Sequence, residues 1–302
     1  MAASAQDIIA GRKTFFITPD ETIFPESFCE DFLAHGYECY FIKNDKKISL
    51  EQKIEILISV FKDVILFFNL DAEIPGMGWP RLIRRLREKH GDQFLMGALF
   101  LKRQSKDEKA FIEYKYLYDL GLNCGCIQLE YQKKLNYGII EKVLFANQAM
   151  GRRKSVRAIG NNGTTFGFTY NKENINGILQ DISLSHFSFI SPEGTLELSN
   201  YERIEDIQFN IKGFHFRSSA VLVMRRILEN GDALCVFMFT TAKGGAGLDI
   251  LTQQNLLPRL YELMNDNCLN LLERLCESYV MTVEKKNEIS DLEEVEDDLE
   301  FL

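Results

Sequence analysis

The run Asp63-Val-Ile-Leu-Phe-Phe-Asn-Leu70 restricts this chain more than any other stretch. A strand alternates its side chains between two faces, so a run that is apolar at both parities has no face to give to water. It must be covered on both sides, as strands of a parallel sheet between helices are. The surrounding sequence alternates to match. Strands are predicted at 13–18, 38–42, 63–70, 93–101 and 124–129, and helices at 25–36, 49–61, 79–91, 107–121 and 136–151. The first helix has Pro25 at its start and Gly36 at its end, and the second has Ser49 with Gln52 three residues on, a capping-box pattern. Five strand–helix units predict a doubly wound parallel sheet over residues 12–150, an α/β domain.

At Gly151 the pattern changes. The stretch Gly151–Gly160 puts Arg152, Arg153, Lys154 and Arg157 within six positions, and short strands follow it. They are predicted at 155–160, 164–170, 175–183, 186–191, 194–199, 204–211, 219–228 and 233–239. Turn residues separate them, among them Asn161-Asn162-Gly163 and Asn230-Gly231-Asp232. Short strands at this spacing predict a small antiparallel barrel or sandwich over residues 151–245. A glycine-rich loop, Gly244-Gly245-Ala246-Gly247, follows Lys243 without the Gly-Lys-Ser/Thr ending of a phosphate loop, so it reads as a connection. Beyond it a long helix is expected at 255–283, within a C-terminal segment 246–286. Its apolar stripe contains Leu257, Leu260, Tyr261, Met264, Leu271 and Leu275. The stripe is expected to pack on the barrel; a dimer seam or a groove for a partner is its other use.

The net charge of −9 belongs to one end of the chain. Residues 287–302 hold eight of the 44 acids and no Lys or Arg, which leaves 36 acids against 35 bases elsewhere. That end is expected to be a solvated acidic tail. A near-neutral body with one short basic cluster predicts no DNA partner. Seven cysteines, an odd number lying mostly in apolar runs, predict reduced core residues with no metal role. No apolar run approaches the roughly 18 residues of a membrane span, and the N-terminus lacks a secretory pattern, so the expected location is cytoplasmic.

Arg153-x-x-x-Arg157 followed by Asp181-x-Ser183 resembles the signature of the PilZ family of cyclic di-GMP receptors. The resemblance covers roughly residues 150–245 and implies a PilZ-like β-barrel. It implies that Arg152 and Arg153 wrap the ligand from the linker, that Arg157 reaches it from the first strand, and that Asp181 and Ser183 hold a guanine edge. The chemistry suits those residue types. A guanidinium fork grips phosphate or the guanine O6/N7 edge, and a carboxylate accepts from guanine N1–H and N2–H2. The chain departs from the family pattern at His186, where the family carries a glycine that lets backbone approach the ligand and take φ > 0.

The first domain resembles a response-regulator receiver, and Asp71-Ala-Glu-Ile-Pro75-Gly-Met77 is similar to the loop that carries its phosphorylated aspartate. On that alignment Asp71 is the acceptor. The other receiver positions differ: Thr18-Pro19-Asp20-Glu21 is not a clean acidic pair, Phe100-Leu101-Lys102 lacks the hydroxyl, and Gln128 stands in place of the lysine. A degenerate receiver used for contacts is therefore expected. No nucleophile–base pair or metal-ligand cluster suggests an enzyme, and no cofactor is expected beyond cyclic di-GMP as ligand. These readings converge on a signalling protein whose domain arrangement changes on ligand binding. It would act on a protein partner through the receiver-like domain or the C-terminal helix, with motility as the output PilZ proteins commonly serve. The rival is an interaction scaffold whose PilZ-like site does not bind nucleotide.

Overall fold

A computed structural model describes residues 11–18, 24–25, 27–44, 48–72, 78–101, 105–153, 155–241 and 243–299, with side chains to residue 278. Strands β1 (Thr14–Ile17), β2 (Cys39–Ile42), β3 (Ile65–Asn69), β4 (Leu95–Phe100) and β5 (Cys126–Gln128) form one sheet in the order β2-β1-β3-β4-β5. The β1–β3, β3–β4 and β4–β5 pairs are parallel. This is the doubly wound order expected from the alternation. Helices α1 (Phe28–Ala34), α2 (Leu50–Phe61), α3 (Trp79–His90), α4 (Lys106–Glu113) and α5 (Lys133–Ala146) alternate with the strands along the chain.

Every residue of β3 is buried, as its apolar run Ile65–Phe68 required, and the polar Asn69 at its end is buried with it. Phe67 stacks on Phe16 with ring centroids 5.5 Å apart, and a Cβ at Gly97 on β4 would strike the Phe67 ring. Ser49 accepts a hydrogen bond from the Gln52 backbone and so caps α2.

Strands β6 (Ala158–Ile159), β7 (Thr164–Tyr170), β8 (Glu173–Ile178), β9 (Asp181–Ile182), β10 (His186–Ser191), β11 (Arg203–Ile211), β12 (Phe214–Ile227) and β13 (Ala233–Thr240) form an antiparallel sheet. Its order is β6-β9-β10-β13-β12-β11-β7-β8. The topology forces this sheet to curl. Strand β8 lies at one edge and β9 next to the other, yet only Leu179 and Gln180 separate them in sequence. Three peptide steps reach at most about 11 Å, so the two edges must meet. They meet because one continuous chain passes from one ladder to the other: Leu179 N–H donates to the Thr164 carbonyl (3.0 Å), extending the β7–β8 register, and Gly160 N–H donates to the Gln180 carbonyl (3.0 Å), extending that of β6–β9. Gly160 is needed at this seam, because a Cβ there would run into the Leu179 carbonyl oxygen.

The barrel core is aromatic. Phe187 stacks on Phe237 at 5.1 Å and Phe166 on Phe189 at 4.3 Å, with Phe209, Phe216 and Phe239 around them. Each such ring contributes about 1.5–3 kcal/mol by burial.

Helix α6 runs Ile250–Leu299. Within residues 250–267 it buries Leu256, Leu260, Leu263 and Met264, while Leu257 is only partly covered, so the buried stripe is turned slightly from the expected one. Polar contacts fix this part to the barrel. Asn267 Nδ2 donates to the Ile159 carbonyl (2.8 Å), and Lys212 Nζ meets Asp266 Oδ2 at 2.6 Å.

Four expectations need correction. The predicted strand 175–183 is two strands, broken at Leu179–Gln180 where the barrel closes. Residues 194–199 form no strand: Leu196 and Leu198 enter the core, but side chains satisfy the backbone there, with Tyr170 Oη donating to the Glu197 carbonyl (3.1 Å) and Ser199 N–H to Glu202 Oε2 (2.8 Å). Helix α6 begins five residues before the expected start. It also continues through the acidic segment to Leu299, since no Gly or Pro follows Pro258 to stop it.

The chain forms two compact units that interleave in sequence, one built on residues 24–40 and 134–267 and the other on residues 13–18, 41–133 and 268–299. The expected boundary at 150/151 does not match this division. Helices α1 and α5 join the antiparallel sheet's unit, and within it Phe32 stacks on Tyr137 at 4.4 Å.

Candidate ligand-binding site

The register of β6, β9 and β10 assembles the site. Asp181 stands opposite Ile159 on β6 and opposite Ser188 on β10. Arg157 precedes β6 and is two residues from Ile159, which makes it a diagonal neighbour of Asp181. His186 is two residues from Ser188 and is the other diagonal neighbour. On β10, Phe187 and Phe189 point into the core, so His186, Ser188 and Ile190 share the opposite, outer face. Three strands thus carry Arg157, Asp181, Ser188 and His186 on the face opposite the aromatic core, where Arg157, Asp181 and His186 are partly exposed and Ser188 is buried.

Arg157 Nη1 lies 3.4 Å from Asp181 Oδ2, and the two side chains are 27% and 23% exposed. Asp181 Oδ1 is buried with no hydrogen-bond partner, and so is Ser188 Oγ beside it. Native proteins seldom leave buried polar atoms unmatched, so two on adjacent, paired residues mark a place where polar partners belong. His186 is half-buried, with Nδ1 2.9 Å from Ser185 Oγ. Burial holds its imidazole below the ordinary histidine value and Arg157 adds to this, while Asp181 opposes it. His186 has no positive φ, so the backbone at this position does not need the family's glycine.

The remaining expected residues fare differently. Ser183 is buried, and its hydroxyl organises the turn into β10: it accepts from His186 N–H (3.0 Å) and donates to the His186 carbonyl (3.1 Å). Arg152 and Arg153 are exposed on the segment leading to β6 and make no hydrogen bond or ion pair with the described residues. Lys154 lies outside the described residues. Ser188 was not anticipated from the sequence. Its only signal there is a hydroxyl at an outward position of the otherwise aromatic and aliphatic HFSFIS.

Asp71 sits in the turn after β3, and its Oδ2 accepts from Leu101 N–H (2.5 Å). The carboxyl end of β3 is Asn69, which donates to Thr18 Oγ1 (3.0 Å) and accepts from Asp71 N–H (3.0 Å). Residues 19–21, 73–77 and Lys102, which complete the receiver-like positions, lie outside the described residues. Among the described residues no cluster of His, Cys, Asp and Glu could hold a metal. Six of the seven free cysteines are buried and Cys126 is half-buried, in keeping with core residues. No described helix is long and apolar enough to cross a membrane.

No family model matches the chain, and no curated protein does. Solved structures do. YcgR from Escherichia coli, in complex with c-di-GMP, is similar at 15% identity over 44% of this chain and 51% of that one, with a TM-score of 0.28. The PilZ domain of YcgR with c-di-GMP is similar at 16% identity over 40% of this chain and 98% of that one, with a TM-score of 0.31. The K. pneumonia protein MrkH, described as a c-di-GMP-dependent transcription regulatory factor, is similar at 15% identity over 40% of this chain and 52% of that one, with a TM-score of 0.29. This chain spans about half the length of the YcgR and MrkH chains it matches. The PilZ domain of YcgR is among these structures, and PilZ is the family whose signature the Arg153-x-x-x-Arg157 and Asp181-x-Ser183 pattern resembles.

Proposed function

We propose that this protein is a cyclic di-GMP receptor and that the outer patch on β6, β9 and β10 is its binding site. One observation carries the reading. The Arg157–Asp181 pair lies on an outward face with Asp181 Oδ1 buried and unmatched, an acceptor suited to the N1–H and N2–H2 donors of guanine. The spare donors of Arg157 suit the guanine O6/N7 edge or a phosphate. Arg152 and Arg153, which make no ion pair with the described residues, close over the phosphates from the preceding segment. Ser183 contributes by holding the turn that sets His186 beside the pair. The ligand orders residues 151–157, which join α5 to β6 within the antiparallel sheet's unit, against the barrel, and a partner protein then reads the ordered segment.

Calorimetric titration of cyclic di-GMP into the full chain, and into Arg153→Ala and Arg157→Ala, tests the reading. Micromolar or tighter binding, on the order of −8 kcal/mol, abolished by both substitutions, is the expected result. The half-buried imidazole of His186 favours the scaffold reading instead, and an absence of heat and of thermal stabilisation at saturation would leave that one standing. Hydrogen exchange at residues 145–160 tests the ordering step; unchanged protection on saturation would remove it even where binding holds.

A further inference from the structure

A cleft of about 810 Å³ opens on the barrel surface, where β11, β12 and β13 meet the loop before α6. Its floor is the Ser219–Thr240 pair of β12 and β13, and Thr240 is two residues along β13 from Met238, the partner of His186. It is therefore a neighbour of the Arg157–Asp181 patch and shares no residue with it.

The carboxylates of the cleft are matched internally. Asp206, held at φ +52° by a bulge in β11, receives Arg217 Nη1 on both oxygens at 3.0 and 3.1 Å. Glu205 meets Arg203 Nε at 3.5 Å, and Asp249 accepts from the backbone and hydroxyl of Thr252 at 2.9 and 2.6 Å. The donors are not all matched. Lys243 makes no ion pair with the described residues, and Arg217 spends one nitrogen of its fork on Asp206. Thr240 is 4% exposed and its hydroxyl is buried with no partner, although the residue lines the cleft. A buried hydroxyl without a protein partner is a place where an oxygen of a water or a ligand belongs.

We infer that this cleft is a second binding site, for a small multivalent oxyanion such as an organic phosphate or a polycarboxylate. Its size fits a small metabolite. The Lys243 ammonium supplies the charge, and the open part of the Arg217 fork with the Ser219 and Thr240 hydroxyls supplies direction.

The test uses the full chain with inorganic pyrophosphate and citrate as probes, each followed by calorimetry and thermal denaturation. Binding of pyrophosphate alone identifies phosphate ligands and binding of citrate alone identifies polycarboxylates; either supports the site. Lys243→Ala is expected to weaken binding roughly tenfold, and Arg157→Ala to leave it unchanged. Thr240→Val carries a signature that a merely structural hydroxyl would not give: a higher melting temperature without ligand together with weaker probe binding. Failure of both probes at millimolar concentration overturns the inference. So does loss of binding in Arg157→Ala with retention in Lys243→Ala, which would put the anion on the neighbouring patch, and so does unchanged affinity in Thr240→Val.

Discussion

Removing Arg157 isolates what its pair with Asp181 does before any ligand is present. At 3.4 Å, with an effective dielectric constant near 20, the gross attraction is about 5 kcal/mol. Desolvation of two side chains that are about three-quarters buried cancels much of this, so the net worth of the pair is about 1 kcal/mol. The single substitution costs more than the pair is worth. In Arg157→Ala the Asp181 carboxylate stays mostly buried, its Oδ1 already unmatched and its Oδ2 newly so, at a cost of about 2 kcal/mol. Because the chain holds two compact units, a global unfolding curve would blend them, and native-state hydrogen exchange is the suitable assay. The Gly160, Leu179 and Ser183 amides, which close the seam and the adjoining turn, should exchange roughly 30-fold faster in Arg157→Ala. In Arg157→Ala/Asp181→Ala the stranded charge is gone, and more than half of that loss should return. Unchanged protection in the single variant, or a double variant more labile than the single, would refute the coupling and with it the geometry on which the receptor reading rests.

Three further outcomes are expected. His186 titrates below the ordinary histidine value, so its stabilising contribution is present above about pH 6.5 and is lost as the pH falls below it, where the unfolded chain takes up a proton first. Protection of β9 and β10 should decline with acidification through that range, and His186→Gln should flatten the decline; an unaltered slope would show that His186 is not its source. Gly160→Ala should open the barrel seam by forcing a Cβ into the Leu179 carbonyl, at a cost of about 2–3 kcal/mol, and normal protection of Leu179 in that variant would contradict the close approach. Ser188→Ala removes an unmatched buried hydroxyl and should stabilise the barrel by up to about 1 kcal/mol while weakening cyclic di-GMP binding, measured by exchange and calorimetry respectively.

The sequence by itself determined the architecture wherever the cause is local. The all-apolar run ending in Asn69 could only become a covered strand, and the strand–helix alternation around it led to the parallel order β2-β1-β3-β4-β5. Arg157 and Asp181 could be singled out from the sequence because their residue types match a family pattern, and the neighbours of Asp181, Ile159 and Ser188, follow from strand pairing. What depends on pairing across sequence was not legible. Leu179 and Gln180 look like the interior of one strand, and only barrel closure makes them the seam that splits it. Leu196 and Leu198 alternate as a strand would, but their backbone is satisfied by Tyr170 and Glu202, residues set beside it by the fold. The role of Ser183 in its turn, the unmatched hydroxyls of Ser188 and Thr240, and the freedom of His186 from any need for glycine were decided by the tertiary structure alone. Burial and hydrogen-bond satisfaction are properties of the assembled neighbourhood, and no residue carries its neighbourhood in its own side chain.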